Sequence, residues 1–422
     1  MLKLVRQTLV AAARIIPHLG LTVRRGRRFL ILDPFLTSAV SHNLNFDLGF
    51  RTALEGKGWS VTILANRYAY DGVVNEAKAH RLFASPGYAE FSPFFEAFQL
   101  RNGDFYRDIR LFNFADLGAD NIVLVHTITV FELFGLARWY RELPKNRRPR
   151  LVIYIQMGAA FGLNDQDEID YALDAYRSVA RALSQIQGVV LCTSSQRLLD
   201  LFPAGTIAPH LFPLPMSWPA LPAPRADDAR VVFGYIGGLR RVKGFHLVAD
   251  AIAAVLEAVP NADFLIHGPY NPEFAEDIAR LRQMGHRVQM RDRPPASREE
   301  YYALFSEIDV VLNAYDPAQY GEATSMICME AIGMGRGLIT TSGTWAEEVA
   351  ERLGAAKVAM KDFSSSALVE AIAAYSARCR ELTAKAAVAQ KEAREHHNVD
   401  AFLAATGLAP FTQADSGSSV NA

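Results

Sequence analysis

Nine short runs of Val, Ile, Leu and Phe punctuate the chain, and each is followed by a stretch with helical spacing. Five precede residue 213: FLILDP (29–34), SVTILAN (60–66), NIVLVH (121–126), RLVIYIQ (150–156) and GVVLCTSS (188–195). Four follow residue 230: VVFGYIGG, ADFLIHG, DVVLNAY and GLITT. Near-continuous apolar strands separated by helices are what a parallel sheet covered on both faces requires. The expected fold is therefore α/β, with two Rossmann-like doubly wound domains. The segment PLPMSWPALPAPRADDAR (213–230) holds five prolines and cannot continue a helix or a central strand, so it is read as the interdomain linker. The N-terminal domain then spans 25–212 and the C-terminal domain 231–395. Residues 396–411 form a C-terminal helix, with a return to the first domain as one reading, and 412–422 form a disordered tail.

Composition excludes several classes. Lys+Arg 44 against Asp+Glu 45 leaves a formal net charge of −1, so no global field recruits nucleic acid. Cys192, Cys328 and Cys379 form no C-x-x-C pair, which argues against a disulfide framework or a zinc knuckle and fits a reducing cytoplasm. No apolar run is long enough to span a bilayer. Residues 1–16, MLKLVRQTLVAAARII, are amphipathic, and RRGRR follows at 24–28. Peripheral membrane contact through residues 1–24, at the inner face of the membrane, is one reading; a helix packed on its own protein is the other.

Two motifs carry chemistry. VVFGYIGG runs through LRRVKG into the helix FHLVADAIAAVLEAVP, which brings Gly237, Gly238, Arg240, Arg241 and Lys243 to a strand end facing a helix N-terminus. Free backbone N–H groups there favour a phosphate, and the cations offset its charge. Further on, EATSMICME (322–330) sets Glu322 just before a helix and Glu330 within it. Thr324 or Ser325 is the expected N-cap. Eight residues of helix place the two carboxylates roughly 12 Å apart, too far for one small group but suited to two parts of an extended ligand.

This E-x7-E arrangement, behind a GG-x4-KG loop in a second α/β domain, resembles the retaining nucleotide-sugar glycosyltransferases of group 1 with the GT-B fold. The resemblance covers about 228–395 and, more loosely, the first domain. It implies a glycosyltransferase that moves a sugar from a nucleoside-diphosphate sugar to a glycan or lipid-linked acceptor hydroxyl with retention, in bacterial glycan or polysaccharide biosynthesis. On that resemblance Glu322 contacts the donor sugar, Glu330 the ribose and Lys243 the diphosphate, with Ser325 and Met326 beside them. The family's arginine position is Gly238 here, so Arg240 or Arg241 takes its role, and ATSM stands in place of a glycine-rich stretch. The family's active-site histidine falls on His126, at the end of NIVLVH. His42 and Asn43 sit in another strand-end loop and are read as donor or acceptor contacts.

The D-x-D in NDQDE (164–168) is read as a helix start, with Asp165 capping and Glu168 in the first turn, so neither a metal nor a resident cofactor is expected. FLILDPFLTSAVSHN contains no glycine, which excludes a dinucleotide fingerprint after the first strand. Two other functions share this fold: a nucleotide-sugar 2-epimerase, and a binding protein without catalysis.

Overall fold

The computed structural model describes residues 27–38, 42–85, 93–114, 117–221, 230–293, 295 and 297–407. The amphipathic segment 1–24, the tail 412–422 and residues 222–229 of the proline-rich linker lie outside the described residues.

Among the described residues, twelve strands form two six-stranded sheets. The first holds β1 (Arg28–Asp33), β2 (Ser60–Asn66), β3 (His80–Phe83), β4 (Ile122–Val125), β5 (Arg150–Ile155) and β6 (Val189–Thr193). The second holds β7 (Val231–Ile236), β8 (Ala262–His267), β9 (Val288–Arg291), β10 (Val310–Asn313), β11 (Gly337–Thr341) and β12 (Lys357–Met360). Their spatial orders are β3-β2-β1-β4-β5-β6 and β9-β8-β7-β10-β11-β12, the same topology twice, and every pairing is parallel. The order reverses between β1 and β4 and again between β7 and β10, which opens a crevice at the carboxyl ends of those strands.

Period-two alternation explains why the central runs are apolar throughout. In β1, Phe29 and Ile31 enter one core while Leu30 and Leu32 enter the core on the opposite face. In the second sheet, Ile236, Leu265, Val311 and Leu338 point into the core shared with the first domain, whereas Phe233, Tyr235, Phe264 and Leu312 face the outer helices. Strands β3, β9 and β12, absent from the sequence reading, are four-residue edge strands in each of which at least two side chains are not fully buried. An edge strand lacks one neighbour, so it carries polar residues that mask its apolar signal.

The domains are held together at two places. Around the cleft, Thr324 N–H donates to the Gln156 carbonyl (2.9 Å), Trp345 Nε1 to the Ser194 carbonyl (3.2 Å) and Gln196 N–H to Glu348 Oε1 (3.0 Å). At the back, the helix Val399–Ala405 packs on the helix His42–Glu55, and Phe402 stands edge-on to Phe50, Tyr154 and Phe212. Lys57 Nζ reaches Asp400 at 2.6 Å. His397 sits where both interdomain crossings meet: its Nδ1 accepts from Leu214 N–H (3.0 Å) and its carbonyl from Trp218 Nε1 (2.8 Å).

Candidate functional site

A cleft of about 510 Å³ opens between the domains, over both crevices. From the first domain it is lined by Thr37 and Ser38 after β1, His42 at a helix start, and Thr127 after β4. From the second it is lined by Gly237 and Gly238 after β7 and by Tyr315 after β10.

The turn after β7 is built for close approach. Gly237 adopts φ 122°, a conformation that a side chain disfavours. A single 3₁₀ turn, Arg241–Lys243, then leads to Gly244 (φ 72°), where any Cβ would run into the Ala314 carbonyl. The helix Phe245–Ala258 starts with no side-chain cap. Lys243 Nζ lies 5.3 Å from the centroid of the Tyr315 ring, and Tyr315 in turn packs on Tyr320 at 4.4 Å. Burial, and secondly the nearby Arg240, hold the Lys243 ammonium down to about 8. An anion between the two cations would reverse that shift. Arg240 lines the cleft, whereas Arg241 turns outward and pairs with Glu273 at 3.3 Å.

Ser325 is the N-cap residue of the helix Met326–Gly333, yet its side chain makes no cap bond. Its Oγ accepts from Asn313 Nδ2 at 3.1 Å instead. The first-turn N–H groups beside Ser325 and Met326 therefore remain without a side-chain partner at the cleft wall, a ready-made acceptor site for a ligand oxygen.

Glu330 is 4% exposed and lines the cleft one turn further in. Tyr301 donates to its Oε2 at 2.5 Å and Tyr302 to its Oε1 at 3.2 Å. Burial raises its carboxyl to about 7, although the two tyrosine hydroxyls and Arg298 pull the other way. Tyr302 also accepts from Asn45 Nδ2 of the first domain (3.0 Å), so Glu330 is linked across the cleft by one hydroxyl.

Three residues singled out in the sequence stand elsewhere. Glu322 does not line the cleft. Its carboxylate is packed against Gly158 of the first domain, where a Cβ would collide with it, near Arg197; burial raises its carboxyl and Arg197 lowers it. His126 is fully enclosed, with Nε2 2.9 Å from Asp47 Oδ1 and Phe46 edge-on to the ring. Asn43 is equally enclosed and donates to Asp33 Oδ1 (3.0 Å) and Thr127 Oγ1 (3.2 Å). The cleft-facing histidines are His42 and His267. Burial, then His126 and Lys243, push the His42 imidazolium down to about 3, which leaves it neutral at physiological pH.

Arg298, Tyr301, Thr127, Gln156 and His267 line the cleft without having been picked out from the sequence. A signal existed for two of them. His267 ends β8 just as His126 follows β4, and Ser297 caps a helix by accepting from Glu300 N–H at 3.2 Å, which marks Arg298 as a first-turn residue. Asp165 caps the helix Gln166–Ser184 by accepting from Glu168 N–H at 3.1 Å, as its spacing indicates.

Residues 230–377 match the family described as "Glycosyl transferases group 1". No curated protein matches the chain. Among solved structures, it resembles sucrose-phosphate synthase from Thermosynechococcus elongatus at 14% identity and a TM-score of 0.61, over 90% of this chain and 98% of that one. It resembles Anabaena HepE in complex with UDP-glucose at 13% identity and a TM-score of 0.58, over 91% and 100%. A third is the α,α-trehalose-phosphate synthase (UDP-forming) of Burkholderia vietnamiensis, at 13% identity and a TM-score of 0.59, over 91% and 99%. Likeness at these identities speaks to the fold, which is the two-domain GT-B architecture of a pair of Rossmann-like sheets facing a cleft.

Proposed function

We propose that the cleft binds a nucleoside-diphosphate sugar and transfers its sugar to an acceptor hydroxyl, with retention of anomeric configuration. One observation carries the reading. A glycine turn with two inward cations, Arg240 and Lys243, stands at the β7–β10 crevice of the domain that matches the glycosyltransferase family, with Glu330 on the same wall. That is the charge pattern of a diphosphate with a polyhydroxylated group beside it. HepE, a solved structure of the same architecture, holds UDP-glucose, which supports the donor class.

In this reading the diphosphate lies against Lys243, Arg240 and the uncapped helix starts at Phe245 and Met326. Negative charge grows there as the sugar–phosphate bond breaks, and fixed cations and N–H dipoles lower the barrier by stabilising it. Glu330 accepts from the ribose, whose hydroxyl replaces that of Tyr301. His42, neutral and opposite Lys243, is the histidine placed to meet the sugar; His126 supports the wall behind it. The acceptor enters along the first domain and is a glycan or lipid-linked hydroxyl. Since the protein's own cations meet the diphosphate, no metal is needed there.

Glu322, against Gly158, favours a second reading: a binding protein of the same fold that does not turn over. Thermal-shift screening against nucleoside diphosphates and their sugars, followed by product analysis with and without acceptors, separates the two. A ligand specific for the folded state raises Tm. Transfer or donor hydrolysis supports the enzyme, and tight binding with neither supports the binder. If no nucleoside diphosphate raises Tm, or if Lys243→Ala binds one as well as wild type, the donor reading is wrong.

A further inference from the structure

Behind the first-domain wall of the cleft, three elements converge on one enclosed point. β1 ends in Asp33, His126 follows β4, and the helix His42–Glu55 carries Asn43 and Asp47 one turn apart. All four side chains are 0% exposed. His126 Nε2 stands 2.9 Å from Asp47 Oδ1 and 3.5 Å from Asp33 Oδ2. Its Nδ1 rests 3.1 Å from Thr127 Oγ1, which keeps Nε2 turned to the carboxylates. Among the described residues this is the one group of His, Cys, Asp and Glu whose ligand atoms all lie within 4.8 Å of one another.

The hydrogen bonding here is incomplete on the acceptor side, and Arg51 Nε nearby also lacks a partner. Asp33 Oδ1 accepts from Phe35 N–H (2.9 Å) and Asn43 Nδ2 (3.0 Å), but Asp33 Oδ2, Asp47 Oδ2 and Asn43 Oδ1 have no hydrogen-bond partner. The Asn43 amide nitrogen bridges Asp33 and Thr127. All three orphans are acceptors, and buried acceptors are left without a donor at real cost. Arg51, one turn along the helix, acts on Asp47 from one side. Two enclosed carboxyl groups beside an imidazole, with acceptor atoms left unpartnered, suit a positive charge between them. Metal–ligand bonds of about 2.1 Å put neighbouring ligand atoms roughly 3.0 to 3.4 Å apart, close to the two separations measured here.

We propose that Asp33, Asp47 and His126 bind a divalent cation. The mixed carboxylate and imidazole set suits Mn²⁺ or Zn²⁺. The cation ties the ends of β1 and β4 to the helix that presents His42 and Asn45, and so fixes the first-domain wall. The site is independent of the donor reading, because none of its ligands lines the cleft.

The full-length protein, purified without chelator, is analysed for metal by mass spectrometry. Tm is then read with EDTA and after adding back Mn²⁺ or Zn²⁺. One cation per chain is expected, with Tm falling in EDTA and recovering by roughly 3 °C at a hundredfold excess over Kd. Asp47→Asn keeps the shape, removes a ligand charge, and should abolish that recovery. Should Asp47→Asn not fold, His126→Gln serves the same arm, and the wild-type metal content stands on its own. Absence of metal together with a Tm indifferent to EDTA, Mn²⁺ and Zn²⁺ overturns the proposal, as does a cation response that Asp47→Asn retains.

Discussion

The two sheets share one strand order and so present the same crevice twice, but they furnish it with opposite chemistry. In the second domain the crevice floor is a glycine turn with Lys243 and Arg240 directed into the cleft. In the first it is Asp33, Asp47 and His126, sealed from the cleft. Topology supplies the hole, and side chains decide whether it is a binding surface or a fastening. Gly237 and Gly244 keep the backbone open to a ligand on one side. The helix His42–Glu55 closes over the other.

Substitutions test this contrast, beginning with the largest effect. Lys243→Met should cost on the order of 10² to 10³ in donor affinity or turnover, because it removes a desolvated cation at the diphosphate. The same change should raise Tm of the ligand-free protein, since burial already disfavours that charge. A Tm that falls instead would show the lysine to be structural. Glu330→Gln should weaken nucleotide binding about 10- to 100-fold by calorimetry, the scale of a hydrogen bond to a charged acceptor.

Acidity offers a subtler check. Glu330 titrates near 7 and Lys243 near 8 in the free protein. Donor affinity should therefore rise as pH climbs through 7 and fall beyond 8. Stability moves differently: a carboxyl raised from 4.5 to about 7 contributes stability that is full below 4.5 and lost as pH rises through 7. Glu330→Gln should remove that part of the slope in denaturant melts at pH 4.5 to 7.5. Weaker again, Arg240→Ala should cost about tenfold in donor affinity. Arg241→Ala should change it less than twofold, because its partnership with Glu273 is an exposed surface pair. Equal losses from the two arginines would erase the distinction between inward and outward cations.

Much of this architecture was legible in the residues. Strands buried on both faces announce themselves as unbroken apolar runs, and the glycine turn with its cations follows from one of them. Edge strands β3, β9 and β12 were silent because half their side chains meet water. At the site, position along the chain indicated Lys243 and Glu330 but could not give side-chain direction. His126 and His267 occupy similar strand ends, and only the second faces the cleft. Glu322 lies in the expected loop, yet its rotamer carries the carboxylate across the seam to Gly158. Spacing fixes where a residue sits on its own element; which neighbour it meets depends on an element hundreds of residues away.

The helix Val399–Ala405 bears on how the chain is made. Phe402 fills the space between Phe50, Tyr154 and Phe212, so the first domain's packing is finished by a helix that follows the second domain in the chain. During translation the N-terminal half must wait, partly open, until the C-terminal half has emerged and folded back. Ribosome-released fragments ending before residue 399 should accordingly be captured by chaperones far more than the whole chain.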